Sequence, residues 1–215
     1  MIESIDRKLL FAQYPFIDTF VALMQQAYAS DFDTTDNSHV KVLKRYYDHQ
    51  LSFNNTMKGT DLTGVFAVVA DNKPDYRQQM PVKFASFMKA ISAGKICLLD
   101  FLDTALFEFR YASFTQKNKF KRKFKKGASS NAFVMDCEEI LKVLPFFLFG
   151  KHYGGRPELF FIASDYPIAV SLCSDGNFHY HAYRENEQEI KEAATKAGFI
   201  TGDIELCAYH SICHL

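Results

Sequence analysis

An α+β fold is what this sequence predicts, with a mostly helical N-terminal half packed on a C-terminal, largely antiparallel sheet containing a hairpin at 168–183. Three observations carry that expectation. Apolar residues from Ile5 to Leu51 recur at spacings of three, four and seven, the period of one helix face. Short β-branched and aromatic runs bounded by turn residues concentrate beyond Leu159, as strands and hairpins require. Helical and extended segments do not alternate regularly, so the pattern does not suggest a nucleotide-binding parallel sheet. The 215 residues, 48% hydrophobic and 23% charged, suit a single folded domain over 1–215 with a well-buried core.

Taken in order, Ile5, Leu9, Phe16, Phe20, Leu23 and Ala27 define a first helical stripe, which Pro15 breaks or restarts because its ring clashes with the preceding turn. A second helix is expected from about Ser38 to Met57, with Val40, Leu43, Tyr47 and Leu51 on one face. Gly64 to Ala70 reads as a buried strand, followed by a turn at 71–75. Pro81 suits the first turn of a helix through Val82, Ala85, Met88 and Ile91, with Gly94 just past its end. Residues 95–113 fit both periods. Asp100, Asp103, Thr104 and Glu108 share a helical face while Phe107, Phe109 and Tyr111 alternate, and the stretch is read as helix.

Asp136 with Glu139 has the form of a capping box, flanked by Met135 and Ile140 as its apolar staple, and opens a helix that should stop at Gly150. Strands follow at Leu159–Ala163, Ile168–Cys173 and Phe178–Tyr183. The last two meet at Asp175-Gly176, a tight-turn dipeptide whose second position favours glycine because φ is positive there. A two-residue loop would place Leu172 opposite His179 and Val170 opposite His181. Both histidines would then share a face against apolar side chains and resist protonation. Asn186 and Glu189 repeat the capping-box pattern before a helix ending at Gly198, and Ile204–Ile212 is expected to be a last strand.

Core filling relies on rings, since the chain has 22 Phe and 11 Tyr but no Trp. Burying each one contributes roughly 1.5–3 kcal/mol. Formal net charge is zero, so no global field steers the protein toward nucleic acid or anionic membrane. Five cysteines, an odd and scattered set, match reduced thiols better than a disulfide framework, and with charged residues interrupting the first apolar stretch they suggest a cytoplasmic protein without membrane contact.

Three local patterns bear on function. The run 117–126 is strongly basic in a neutral chain, and Lys119, Phe120, Lys121, Arg122, Lys123, Phe124 and Lys125 are the candidate partner-binding residues. They suit an acidic protein partner, or alternatively nucleic acid, with phosphates meeting the cations and bases stacking on the two rings. A solvated edge strand is the bland account of the same pattern. His179, His181, Cys207, His210, Cys213 and His214 concentrate zinc-type donors, but Cys207-x2-His210-x2-Cys213 lacks paired ligand spacing. No metal ligand is assigned from it. The loop 150–157 is glycine-rich and basic, yet it follows a helix and lacks P-loop order.

No catalytic residue or cofactor emerges. The expected function is therefore a non-enzymatic protein-binding role, such as a cytosolic inhibitor or toxin-immunity-type protein. The basic run at 117–126, set against acidic clusters at Asp31, Asp33 and Asp36 and at Glu185, Glu187, Glu189 and Glu192, would suit electrostatic steering to one partner. The alternatives are a small enzyme or metalloprotein using the C-terminal His/Cys cluster, and a nucleic-acid-binding accessory protein acting through 117–126.

Overall fold

The computed structural model describes residues 2–29, 32–33, 35–48, 62–100, 132–148, 159–173 and 175–210, together with 118, 119 and 122. Among the described residues eight strands, β1 (Ile2–Ile5), β2 (Leu62–Ala67), β3 (Ile96–Asp100), β4 (Ala132–Met135), β5 (Leu159–Ala163), β6 (Ile168–Leu172), β7 (Phe178–Ala182) and β8 (Ile200–Gly202), form one sheet. Their spatial order is β1-β4-β3-β5-β6-β7-β2-β8, and every neighbouring pair is antiparallel. The helices among the described residues include α1 (Arg7–Gln13), α2 (Pro15–Ala29), α3 (Asn37–Tyr46), α4 (Lys73–Ile91), α5 (Ile140–Val143), α6 (Glu187–Lys196) and α7 (Ile204–Tyr209). The α+β expectation holds, and the first half of the chain also supplies three strands to the sheet.

Alternation along each strand sorts its side chains to two faces. On one face Phe66, Leu98, Phe161, Val170, Phe178 and Tyr180 pack with Phe84 and Phe87 of α4 and Ile190 of α6. On the other, Cys97, Leu99, Phe160, Ile162 and Ala169 meet Leu10 of α1 and Ile17, Phe20 and Val21 of α2. The first core is largely aromatic: Phe84 stacks on Phe178 at 4.0 Å between centroids, and Tyr180 stacks on Phe66 at 4.5 Å. Tyr180 pairs with Gly64 across the β2–β7 ladder, and any Cβ at that glycine would run into the tyrosine ring. Glycine in this strand is thus a matter of close approach.

Coverage of both faces explains why β3 is a strand where a helix was expected. Ile96 to Asp100 is buried at every position, between β4 and β5. A continuous apolar run of that length carries no period that separates a strand from a buried helix. Residues 101–113 lie outside the described set.

Pro15 restarts the chain as expected, with α1 ending at Gln13 and α2 beginning at the proline. The helix expected to end near Met57 stops instead at Tyr46. Tyr47 is extended (φ −100, ψ 135), and Asp48 is drawn into a buried ion pair; positions 49–57 lie outside the described set. α4 starts at Lys73, earlier than Pro81 suggested, because the Asn72 side chain accepts from Asp75 N at 3.0 Å and Pro74 occupies the first turn. Pro81 then lies inside the helix and costs about 3 kcal/mol. Burial of Tyr76, Met80, Phe84, Phe87, Met88 and Ile91 outweighs it, at roughly 1.5–3 kcal/mol for each large apolar side chain.

Asp136 does not cap its helix. It pairs with Lys95, and that contact holds its carboxyl at about 2. The chain beyond it forms a 3-10 turn, the one-turn α5 and a second 3-10 turn containing Pro145. The capping box at 186–189 is likewise diverted. Asn186 Nδ2 donates to Tyr166 Oη at 3.0 Å, and that hydroxyl donates to Glu189 at 2.7 Å. Gly198 ends α6 with φ +87, as a helix-terminating glycine does.

Candidate metal centre

The hairpin fixes two of the three residues that matter most. Cys173 N donates to Asn177 O at 2.9 Å, Gly176 N donates to Cys173 O at 3.2 Å, and Gly176 has φ +86. This is a three-residue loop with glycine in the left-handed position. The expected two-residue loop is therefore corrected, and the pairing shifts by one: His179 faces Ser171, His181 faces Ala169, and Leu172 faces Phe178. A one-residue shift moves a whole strand's side chains to the opposite face. Both histidines thus lie on the face of Ala169, away from the phenylalanine core, and Cys173 follows Ala169 and Ser171 onto the same face.

The third residue comes from the segment expected to be a strand. Gly202 ends β8, Asp203 accepts from Glu205 N at 3.0 Å, and this cap opens α7. Capping residues of this kind favour a helix start. α7 packs on β2 and β8 and turns Cys207, only 4% exposed, toward the hairpin. Asn177, 1% exposed, anchors the junction: its amide donates to Cys207 O at 3.0 Å and to His210 O at 3.3 Å. Those are carbonyls that a helix end leaves without intrahelical partners.

The result is a convergence of donors. Cys173 Sγ lies 3.4 Å from Cys207 Sγ, and His179 Nε2 lies 3.2 Å from Cys207 Sγ. All three ligand atoms fall within 4.8 Å of one another. Asp175 Oδ2 stands 3.9 Å from Cys207 Sγ at the rim. A tetrahedral cation with Zn–S of about 2.3 Å and Zn–N of about 2.0–2.1 Å needs S···S and S···N edges of roughly 3.5–3.8 Å, so the two edges that meet at Cys207 would lengthen by a few tenths of an ångström to admit it.

Burial keeps Cys173 and His179 neutral in the metal-free site. Burial, followed by the neighbouring Cys207, pushes the Cys173 thiol up to about 12. Burial also lowers His179, although Asp175 acts in the opposite direction, so the imidazole is neutral and its ring nitrogen can ligate. The same facts disfavour Cys173 as a nucleophile in the metal-free site. A reactive thiolate needs a nearby cation to hold it ionised, and a neutral His179 supplies none.

His181 is on the same face and is lowered to about 4, by burial first and by His179 second. The expectation that both histidines resist protonation therefore holds, although the face that shields them is not the one expected. Among the described residues His181 is not in the converging group, and neither is His210 at the end of α7. Cys213 and His214 lie outside the described set. Cys173 was absent from the donors singled out in the sequence. Its signal is the Cys-x5-His spacing across the turn, which has meaning only once the loop length is known.

Asn118, Lys119 and Arg122 of the basic run are helical, whereas Phe120, Lys121, Lys123, Phe124 and Lys125 lie outside the described residues, as does the loop 150–157. Among the described residues, no helix is long and apolar enough to cross a membrane. No family model, curated protein or solved structure matches the chain.

Proposed function

We propose that the protein binds one zinc-class cation through Cys173, His179 and Cys207, with Asp175 or water in the fourth position. The observation that carries this reading is the approach of three donor atoms, from a hairpin and a separate helix, to within 4.8 Å of one another. Two thiolates and an imidazole suit zinc among the common biological divalent cations, whereas magnesium and calcium take oxygen shells. The role best supported is structural. A cation here would fasten α7, a six-residue helix, to the β6–β7 hairpin, much as Asn177 already does from the backbone side. The Cys173 thiol must lose its proton to ligate, so affinity should fall steeply with acidification.

The test is elemental analysis of untagged, reduced protein after dialysis against buffered zinc. About one equivalent is expected in wild type. His179→Ala and Cys207→Ser should hold substoichiometric zinc at the same free concentration while keeping the wild-type far-ultraviolet dichroism. Absence of zinc from folded wild-type protein, or full occupancy in both variants, contradicts the proposal.

A further inference from the structure

We infer that the metal centre is redox-regulated, with peroxide oxidation joining Cys173 to Cys207 and expelling the cation. The inference rests on the metal reading above and adds a mode of release. Two of the three converging donors are cysteine sulfurs already 3.4 Å apart, against roughly 2.05 Å in a disulfide, so the pair can close with a small movement of either side chain. They sit on different elements, Cys173 at the hairpin mouth and Cys207 on the short C-terminal helix, and the connection between those elements is long. A bond formed there consumes both thiolates and, among the described residues, leaves His179 with Asp175 at the rim. Such a remnant does not hold zinc, which needs about four ligands in a structural site.

The chemistry balances with a peroxide as oxidant. One metal-bound thiolate attacks a peroxide oxygen, the O–O bond breaks, and a sulfenic acid forms while the departing oxygen takes a proton from solvent to leave as water. The second thiolate attacks the sulfenic sulfur, the S–S bond forms, and the S–O bond breaks to release hydroxide, which is protonated to water. Two thiolates thus give up two electrons to one peroxide, and the cation departs. Cys173 and His179 are both partly exposed, so a small oxidant reaches the centre from solvent.

The experiment uses the full chain loaded with zinc, whose stoichiometry is measured first. Hydrogen peroxide is added in the presence of a chromophoric zinc chelator, and the products are mapped by non-reducing peptide mass spectrometry. Expected is release of the bound zinc in step with a Cys173–Cys207 linked peptide, with both changes reversed by dithiothreitol and fresh zinc. Cys207→Ser should give no linked peptide. Zinc that stays bound through peroxide treatment overturns this inference while leaving the metal reading intact. So does release accompanied by a sulfinic acid or by a different cysteine pair. A reduced chain that takes up no zinc at the outset overturns both.

Discussion

Arg7→Met is expected to lower the stability of the fold by about 3–5 kcal/mol, the usual cost of stranding one partner of a buried ion pair. Arg7 is 2% exposed. Its Nε and Nη2 donate to the Asp48 carboxylate at 2.7–3.0 Å, and Nη1 donates to the Asp100 carbonyl at 2.5 Å. The guanidinium also lies 5.4 Å from the Phe11 ring centroid. Gln25, fully buried on α2, completes the site by donating to Asp48 at 2.8 Å and accepting from the Asp48 amide at 3.1 Å. Arg7 therefore ties α1 to the segment just after α3 and to the end of β3, and Asp48 carries the link on to α2. Methionine keeps most of the apolar stem but leaves Asp48 charged without its cation. Adding Asp48→Asn should recover more than half of the loss, since the stranded charge, rather than the missing contact, is the larger part of the cost. Urea unfolding of the single and double variants measures both. A single variant within 1 kcal/mol of wild type, on the order of ordinary surface substitutions, contradicts this account.

Acidification should destabilise the metal-free protein by an amount of similar order. Burial holds His181 at about 4 in the fold against about 6.5 in the unfolded chain. Below pH 6.5 the unfolded chain takes up a proton that the folded chain refuses, so stability falls with falling pH until about pH 4, where the folded state protonates as well. A gap of that width corresponds to roughly 3 kcal/mol at most. His179, also lowered by burial, adds to the same trend. Chemical denaturation in the presence of a chelator, from pH 7.5 to pH 4.5, reads the slope. His181→Asn should flatten it, and a slope unchanged in that variant would assign the acid sensitivity elsewhere.

Much of the scaffold was legible because local chemistry and tertiary placement agreed. The restart at Pro15, the strands at 159–163 and 168–172, the positive φ of Gly176 and the stop at Gly198 each follow from one residue's backbone preference or a simple period. The misreadings arose where a polar side chain had two possible partners. Asp136, Asn186 and Glu189 have the residue types of capping boxes but were taken by Lys95 and Tyr166, which no local pattern reveals. In β3, coverage by helices on both faces erased the alternation that marks a strand.

The candidate site was half legible for a related reason. His179 and Cys207 stood out as donors, but Cys173 joins them only because the loop holds three residues rather than two. Asp203 makes a helix of the segment read as a strand, and that helix carries Cys207 to the hairpin. Loop length and a single cap therefore decide whether three scattered donors become one site.

X-ray absorption at the zinc K edge of the reduced, zinc-loaded protein tests that convergence most directly. A shell with two sulfurs at about 2.3 Å and nitrogen or oxygen at about 2.0–2.1 Å is the predicted result, with one sulfur lost in Cys173→Ser. A shell of nitrogen and oxygen alone, or one that Cys173→Ser leaves unchanged, would contradict the centre proposed here.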